Sequence, residues 1–386
     1  MIWMPKLLVV VFWVSLGTVL YTYFLYPLLL WLLGRGHRRP FLRRRVKASD
    51  LPTVTMVFSA YNEEAVIEQK LANCRQLNYP PEKLRFLIGS DGSTDRTGEI
   101  LSRLDSPRFS VHLFEKRRGK VQVLNDLMRR VDSEIVVFSD ANTLYQRNAI
   151  DKLVWAFQDQ RVGCVIGKLN LIAATDDTQV CRTEGLYWRY ENVIKRLESQ
   201  LGIVPSINGG IFAIRRVLFE PLPPHAITED QVLGMRIMAL GYRCEFAERA
   251  RAWESVSDWS GELRRRIRIS AGNFQSLFFV PRIMCCGPVS FAFISHKLLR
   301  WLVPFCLLAI LLSNLFLSGT PFYGFAMLAQ VFFYGCGILG TLLPAVGQGL
   351  KVLMIPKYFL AMNLAILIGF TRFVTGRQRV TWNKGR

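Results

Sequence analysis

Ile135-Val136-Val137-Phe138-Ser139-Asp140-Ala141-Asn142-Thr143 is a short apolar run, rich in β-branched residues, that stops abruptly at a carboxylate. A run of this length, closed by polar residues, reads as a buried strand of a parallel sheet. In open α/β sheets ligands bind beyond the carboxyl ends of the strands, where loops diverge and backbone groups are free. Asp140, with Asn142 two residues on, offers oxygens there to a hard cation such as Mg²⁺ or Mn²⁺, which takes few ligands from protein and the rest from phosphate and water. Taken alone, the pair reads equally well as a turn into the next helix, because Asp and Asn are ordinary turn residues.

Outward from this strand the pattern repeats. Thr53 to Ala60 reads as a strand broken at Tyr61-Asn62-Glu63-Glu64, with helical spacing after it through Val66, Ile67, Leu71 and Cys74. Leu84 to Ile88 reads as a second strand. It ends at Gly89-Ser90-Asp91-Gly92-Ser93-Thr94-Asp95, where Ser93, Thr94 and Asp95 suit the start of a helix from Arg96 to Leu104. Phe109 to Phe114 predicts a third strand and Lys120 to Arg130 a third helix. Downstream, Ala149 to Phe157 and Glu184 to Glu198 read as helices and Val162 to Leu171 as extended. Ile207 to Ile214 reads as a strand broken by Gly209 and Gly210, whose missing side chains let a ligand approach the backbone. Thr228-Glu229-Asp230 opens a helix that Gly241 closes. Strands alternating with helices predict crossover units and a mostly parallel sheet of the α/β class, a nucleotide-binding architecture.

Hydrophobic residues make up 51% of the 386-residue chain. Four stretches have the length of spans, about 20 residues for a bilayer core: Leu7 to Leu33, Leu298 to Leu317, Phe322 to Leu343 and Ile355 to Val374. The first is too long for a removable signal, carries only Lys6 as a basic start and shows no small-residue cleavage site before Arg35, so a retained anchor is expected. A net charge of +20 admits nucleic acid as a partner, and placement decides against it. The basic residues cluster after the first span (Arg35, His37, Arg38, Arg39, Arg43, Arg44, Arg45) and before the second (Arg264, Arg265, Arg266, Arg268, Arg282). That positive-inside distribution predicts a cytoplasmic middle whose basic flanks meet membrane lipids. It is not the basic face, interleaved with aromatics, that nucleic acid requires.

Trp259 to Phe279 is basic and amphipathic, which suits a helix lying in the membrane interface. Four full spans would put the basic tail (Arg372, Arg377, Arg379, Lys384, Arg386) outside, against the same rule. Either the tail is an exception, or Ile355 to Val374, after Pro356, lies at the interface or re-enters. The eight cysteines show no C-x-x-C spacing, which argues against zinc and redox motifs and for reduced thiols acting as small hydrophobes.

Asp91, Asp140 with Asn142, and Glu229 with Asp230 all stand at strand ends or helix starts. Singly each reads as a turn or a cap; together, on a parallel sheet, they face one crevice. With these residues in place the chain resembles the membrane-integrated members of glycosyltransferase family 2, the group containing hyaluronan, chitin and poly-N-acetylglucosamine synthases. The matching residues are Tyr61-Asn62-Glu63-Glu64, Asp91-Gly92-Ser93-Thr94-Asp95, Gly119-Lys120 with Leu124-Asn125, Ser139-Asp140-Ala141-Asn142, Asn208-Gly209-Gly210, Thr228-Glu229-Asp230 and Arg265-Arg266-Ile267-Arg268, in family order.

The resemblance implies a nucleotide-binding, GT-A-like, mostly parallel sheet domain with transmembrane and interfacial helices. It implies a UDP-sugar donor and Mg²⁺ or Mn²⁺ at Asp140 and Asn142, where the cation neutralises the leaving diphosphate. Tyr61, Glu63, Asp91 and Lys120 look like uridine-side contacts, and Gly209, Gly210 and Arg265 like further substrate contacts. Asp230, with Glu229 as a second catalytic carboxylate, matches the base that deprotonates the acceptor hydroxyl. Arg268 matches the arginine that holds the diphosphate, a task for a planar, permanently charged fork. Two positions depart from the family pattern. Asn142 stands where the metal motif usually ends in Asp. Arg265-x-x-Arg268-Ile269 replaces the Q-x-x-R-W whose Gln and Trp hold the acceptor sugar in processive members.

The expected activity is inverting, metal-dependent transfer from a UDP-sugar to a growing polysaccharide. The alternatives are transfer of one sugar to a lipid-linked acceptor and, in a different class, a non-catalytic membrane subunit. The expected organisation is an anchor (1–34), a basic linker (35–52), a cytoplasmic catalytic domain (53–258), amphipathic interface helices (259–296), a transmembrane cluster (297–376) and a basic tail (377–386).

Overall fold

The computed structural model describes residues 3–35, 48–173, 178–256, 259–343 and 350–378. The basic run after Arg35, the tail beyond Gln378 and the side chain of Cys181 lie outside the described residues. A first helix, Trp3–Leu20 (α1), passes through a π-helical turn at Tyr21–Leu25 into Tyr26–Gly34 (α2).

β-Branched and aromatic residues then make Val54–Ala60 (β1), Leu84–Asp91 (β2), Phe109–Phe114 (β3) and Ile135–Ser139 (β4) into four parallel strands, ordered β3-β2-β1-β4. The helices between them are Glu64–Arg75 (α3), Thr97–Ser102 (α4) and Lys120–Met128 (α5). Parallel pairing brings the ends of β1, β2 and β4 to one edge, which is where Tyr61, Asp91 and Asp140 sit. Beyond β4 the sheet turns mixed. Thr143–Tyr145 (β5), Ala149–Val154 (α6), Val162–Ala173 (β6), Thr178–Leu201 (α7), Ile211–Arg215 (β7), Glu229–Ala239 (α8) and Arg243–Val256 (β8) complete it. β7 joins β4 antiparallel and β6 joins β7 antiparallel; β8 runs parallel to β6, and β5 closes that edge antiparallel to β8.

Alternate side chains of each strand feed two cores, as the two-residue period of a strand requires. Met56, Phe58 and Val137 face the side of α3 and α6; Val57, Val136 and Phe138 face α5 and α8. The second core continues without a break into the membrane-side helices through Phe274, Phe293 and Trp301. Each such fully buried side chain contributes about 1.5–3 kcal/mol. The sheet and the apolar helices therefore share one core.

After the sheet come Trp259–Phe279 (α9), Pro288–Phe293 (α10), Leu299–Leu317 (α11), Pro321–Leu342 (α12) and Lys351–Val374 (α13). Among the described residues four helices are long and apolar enough to cross a bilayer: Lys6–Gly34, Pro288–Leu317, Pro321–Leu342 and Val352–Val374. The second is longer than expected, because α10 runs through a π-helical turn into α11 without a break. The last is one continuous helix with Pro356 inside its first turns, packed along α9 and α12. Gly369 makes the α9 contact possible: a Cβ there would stand 2.6 Å from Ser270 Cβ and 2.7 Å from Ile267 O.

Three local expectations change. Residues Ile207 to Gly210 are not part of a strand; the chain turns at the two glycines and β7 starts only at Ile211. Asp95 does not cap one helix alone: Oδ1 accepts from Thr97 N at 3.0 Å and Oδ2 from Glu64 N at 3.1 Å, so it ties the starts of α3 and α4 together. β8 is an additional strand. The described cysteines are all free thiols, as their scatter predicts.

Candidate active site

The loops at the sheet edge are held by backbone-directed side chains. Asn62, the one described non-glycine residue with positive φ (52°), accepts from Thr94 N at 2.8 Å through Oδ1, which locks the loop after β1 to the loop after β2. Asp91 is buried at the end of β2. Its Oδ1 accepts from Arg118 N at 2.7 Å and its Oδ2 from Gly119 N at 2.8 Å, so it shapes the loop that leads into α5. Arg117 on that loop stacks over the Tyr61 ring, 3.9 Å from its centroid. Tyr61, Glu63 and Asp91 thus form one end of a cavity of about 930 Å³.

Lys120, the first residue of α5, stands at the centre. Its Nζ lies 2.6 Å from Asp140 Oδ1 and 2.6 Å from Glu229 Oε1. Burial disfavours its charge, yet the two carboxylates outweigh burial and hold the lysine's pKa above the ordinary range. Burial likewise pushes Asp140 up, and Lys120 more than reverses it, so Asp140 stays ionised. Asp140 leads through a tight turn, with Thr143 N donating to its carbonyl at 3.2 Å, into β5. Asn142 in that turn donates from Nδ2 to Glu254 Oε1 on β8 at 3.3 Å. Burial raises the pKa of Glu254, and Asp140 adds to the rise against the pull of Arg265.

Asp230 sits in the first turn of α8 against the glycine turn. A side chain at Gly209 would come within 3.1 Å of Asp230 Oδ2, so glycine there leaves the carboxylate open. Burial, then the charge of Glu229, push Asp230 up to about 6 despite Lys120. Gly210 is fixed through its carbonyl, which accepts from Tyr145 OH at 3.1 Å. From α9, Arg268 donates to Ile227 O at 3.0 Å, and Arg265 reaches Glu254 Oε2 at 3.8 Å and Glu262 Oε2 at 3.3 Å. Every residue expected in the site, from Tyr61 to Arg268, lines this one cavity. Asn125 of the matching motifs does not line it; it holds Leu222 by two hydrogen bonds of 2.8 Å.

Buried groups besides Glu254 also escape sequence reading. Lys70 of α3 lies beneath the Asp140 turn, where its Nζ donates to Ser139 Oγ at 2.7 Å and Thr143 O at 2.5 Å. Lys195 of α7 donates to Asn208 Oδ1 at 2.5 Å, beside Asp230. Glu191, one turn earlier, binds Lys297 Nζ through Oε1 and Arg300 Nη1 through Oε2, each at 2.7 Å. None stands in a local motif; the only signal is a charge inside an otherwise apolar helical face. Lys195, Glu191, Lys297 and Arg300 line the far end of the cavity, which reaches the apolar helices at Tyr23 and Asn363.

Residues 55–222 match the model of glycosyl transferase family 2. Over 279 residues, 68% of the chain, the sequence is 28% identical to the protein named Probable glycosyltransferase YdaM of Bacillus subtilis (strain 168), covering 66% of it. Over 238 residues, 60% of the chain, it is 25% identical to poly-beta-1,6-N-acetyl-D-glucosamine synthase of Staphylococcus aureus (strain COL), covering 57% of it. The chain thus spans less than two thirds of the length of these relatives. The mannosyltransferase PcManGT from Pyrobaculum calidifontis, solved in complex with GDP-Man and Mn²⁺, is similar at TM-score 0.69 and 20% identity over 97% of this chain and 99% of that one. That likeness shows the fold, a mostly parallel, GT-A-like sheet with its appended helices.

Proposed function

We propose that this chain, in which residues 55–222 are a glycosyltransferase family 2 domain, is an inverting, metal-dependent transferase that moves a sugar from a UDP-sugar onto a growing polysaccharide at the cytoplasmic face of a membrane. The observation that carries the reading is the meeting of Asp91, Lys120, Asp140 and Asp230 on one cavity that runs from the carboxyl ends of parallel strands to the apolar helices.

In this reading Tyr61, Glu63 and Asp91 shape the nucleoside end; Lys120, expected among the uridine-side contacts, stands instead between Asp140 and Glu229 and with Arg268 faces the diphosphate. Among the described residues no group of three or more His, Cys, Asp or Glu side chains forms a closed metal centre. An open site with an ionised carboxylate at Asp140 and an amide at Asn142 fits a hard cation that completes its shell with phosphate and water. Bound there, such a cation supplies Lewis-acid neutralisation of the leaving group. Asp230, held near pKa 6 by burial and by Glu229, is mostly ionised at neutral pH and basic enough to accept the proton of an acceptor hydroxyl. The new bond joins that oxygen to the anomeric carbon as the bond to the diphosphate breaks on the opposite face, and Asp230 takes the proton.

Polysaccharide extension draws support from the poly-N-acetylglucosamine synthase among the relatives. A second reading, one sugar onto a lipid-linked acceptor, draws support from the far end of the cavity, where Lys195, Lys297 and Arg300 line the wall with Glu191 next to the apolar helices. Both are tested by supplying the purified protein with labelled UDP- and GDP-sugars, Mn²⁺ and a lipid extract, then sizing the products. Asp230→Asn is expected to lower hydroxyl glycosylation by roughly 10²–10⁴-fold while UDP binding persists. A phosphate acceptor is already ionised at neutral pH and needs no base, so an active Asp230→Asn variant that makes single-sugar lipid establishes the second reading. Silence with every donor, while UDP still binds, returns the non-catalytic subunit.

A further inference from the structure

Asp140 meets the needs of a divalent cation only in part. Lys120 Nζ already stands 2.6 Å from Oδ1 and offsets the charge of that carboxylate. Asn142 is neutral, and its amide nitrogen is turned toward Glu254. Hard cations are bound by oxygen, with carboxylates supplying the charge.

The antiparallel pairing of β5 and β8 brings another carboxylate to the same place. Thr143 is in register with Glu254, so Asn142 lies beside it, and Asn142 Nδ2 donates to Glu254 Oε1 at 3.3 Å. The Glu254 side chain is 12% exposed and lines the cavity with Asp140 and Asn142. Its Oε2 is buried with no hydrogen-bond partner. Arg265 Nη2, at 3.8 Å, is beyond hydrogen-bonding reach. A buried carboxylate oxygen left without a partner is costly, and a bound cation removes that cost.

We propose that Glu254 is the second acidic ligand of the divalent cation, supplying from β8 the carboxylate that position 142 lacks. Asn142, beside its place at the cation site, then also orients Glu254 through its amide nitrogen. The inference rests on the metal dependence proposed above, and the Asp140 variant separates failure of the one from failure of the other.

The test is Mn²⁺ binding by the full-length protein in detergent, read from the loss of the free-ion electron paramagnetic resonance signal, with and without UDP. Glu254→Gln is expected to weaken Mn²⁺ binding at least about tenfold. Asn142→Asp in the Glu254→Gln background is expected to restore most of it, because a carboxylate returns beside Asp140. Wild-type Mn²⁺ affinity in Glu254→Gln, with binding lost in Asp140→Asn, overturns the proposal and leaves Glu254 as a partner of Arg265. Failed restoration in a double variant that unfolds at the wild-type temperature overturns it as well. Unchanged Mn²⁺ binding in both single variants overturns the metal reading itself.

Discussion

Lys70 has no exposed surface and, among the described residues, no acid within hydrogen-bonding distance, yet its ammonium holds the turn that carries Asp140. Burial lowers its pKa to about 8, with Cys74 and Asp140 pulling the other way. The folded value lies below the ordinary 10.5, so between about pH 8 and 10.5 the unfolded chain binds more protons and stability rises with pH. Lys70→Met is expected to remove that rise and, by loosening the turn, to weaken Mn²⁺-dependent UDP binding several-fold. Thermal unfolding from pH 7 to 10 and calorimetry at pH 7 check the two halves separately. The site's acids were legible as residues: Asp91, Asp140 and Asp230 sit where strand ends and helix starts place them. Lys70, Lys195 and Glu254 were not, because a buried charge answered by partners far along the chain leaves no local pattern.

At the scale of elements, β1, β2 and β4 were readable because each is a mainly apolar run buried on both faces, and the edge strand β3, only partly buried, by its spaced apolar residues Phe109, Val111 and Leu113. β8 was not. Its apolar residues Cys244, Phe246, Ala250 and Ala252 alternate with charges, but the register against β6 jumps from Ala247 to Arg251, and this bulge breaks the two-residue period. The strand that carries Glu254 was therefore hidden by an irregularity. The glycine turn before β7 misled in the opposite direction, since apolar residues on both sides of Gly209 and Gly210 imitate one strand. α9 and α13 meet at Gly369, and Arg265 and Arg268 ride on α9 next to that contact. Gly369→Ala drives a methyl into Ile267 O and Ser270, so the helices must part. The expected cost is about 1–3 kcal/mol, together with a fall in kcat from displacement of the two arginines, measured by thermal unfolding and initial rates with saturating donor.

For the molecule as a whole, the apolar helices and the sheet are bound by shared packing and by charge. Tyr26 OH donates to Glu198 Oε1 at 2.8 Å, His296 Nδ1 lies 2.7 Å from the same oxygen, and Glu191 answers Lys297 and Arg300. Removing one member of a buried charged group strands the others. Glu191→Gln is expected to cost about 3–5 kcal/mol, which for a chain of this size lowers the unfolding midpoint by several degrees. A midpoint within a degree of wild type would show the cluster to be solvated in the membrane. Composition sufficed to foresee the apolar helices. It did not reveal that the second core runs from Val57 to Trp301, because that continuity depends on how α9 lies across the sheet.

Lys120, held at 2.6 Å by both Asp140 and Glu229, connects donor occupancy to the protonation of Asp230. A diphosphate that draws Lys120 toward itself takes a positive charge from the neighbourhood of Asp230, adds negative charge and leaves Glu229 less compensated. All three changes strengthen the proton affinity of a group that already titrates near 6. By thermodynamic reciprocity, nucleotide binding and protonation of Asp230 then favour one another. Binding of UDP alone is therefore accompanied by net proton uptake just above pH 6, and its affinity rises as the pH falls toward that value. Calorimetry in buffers of different ionisation enthalpy reads those protons directly, and a heat of binding that is the same in every buffer would break the linkage.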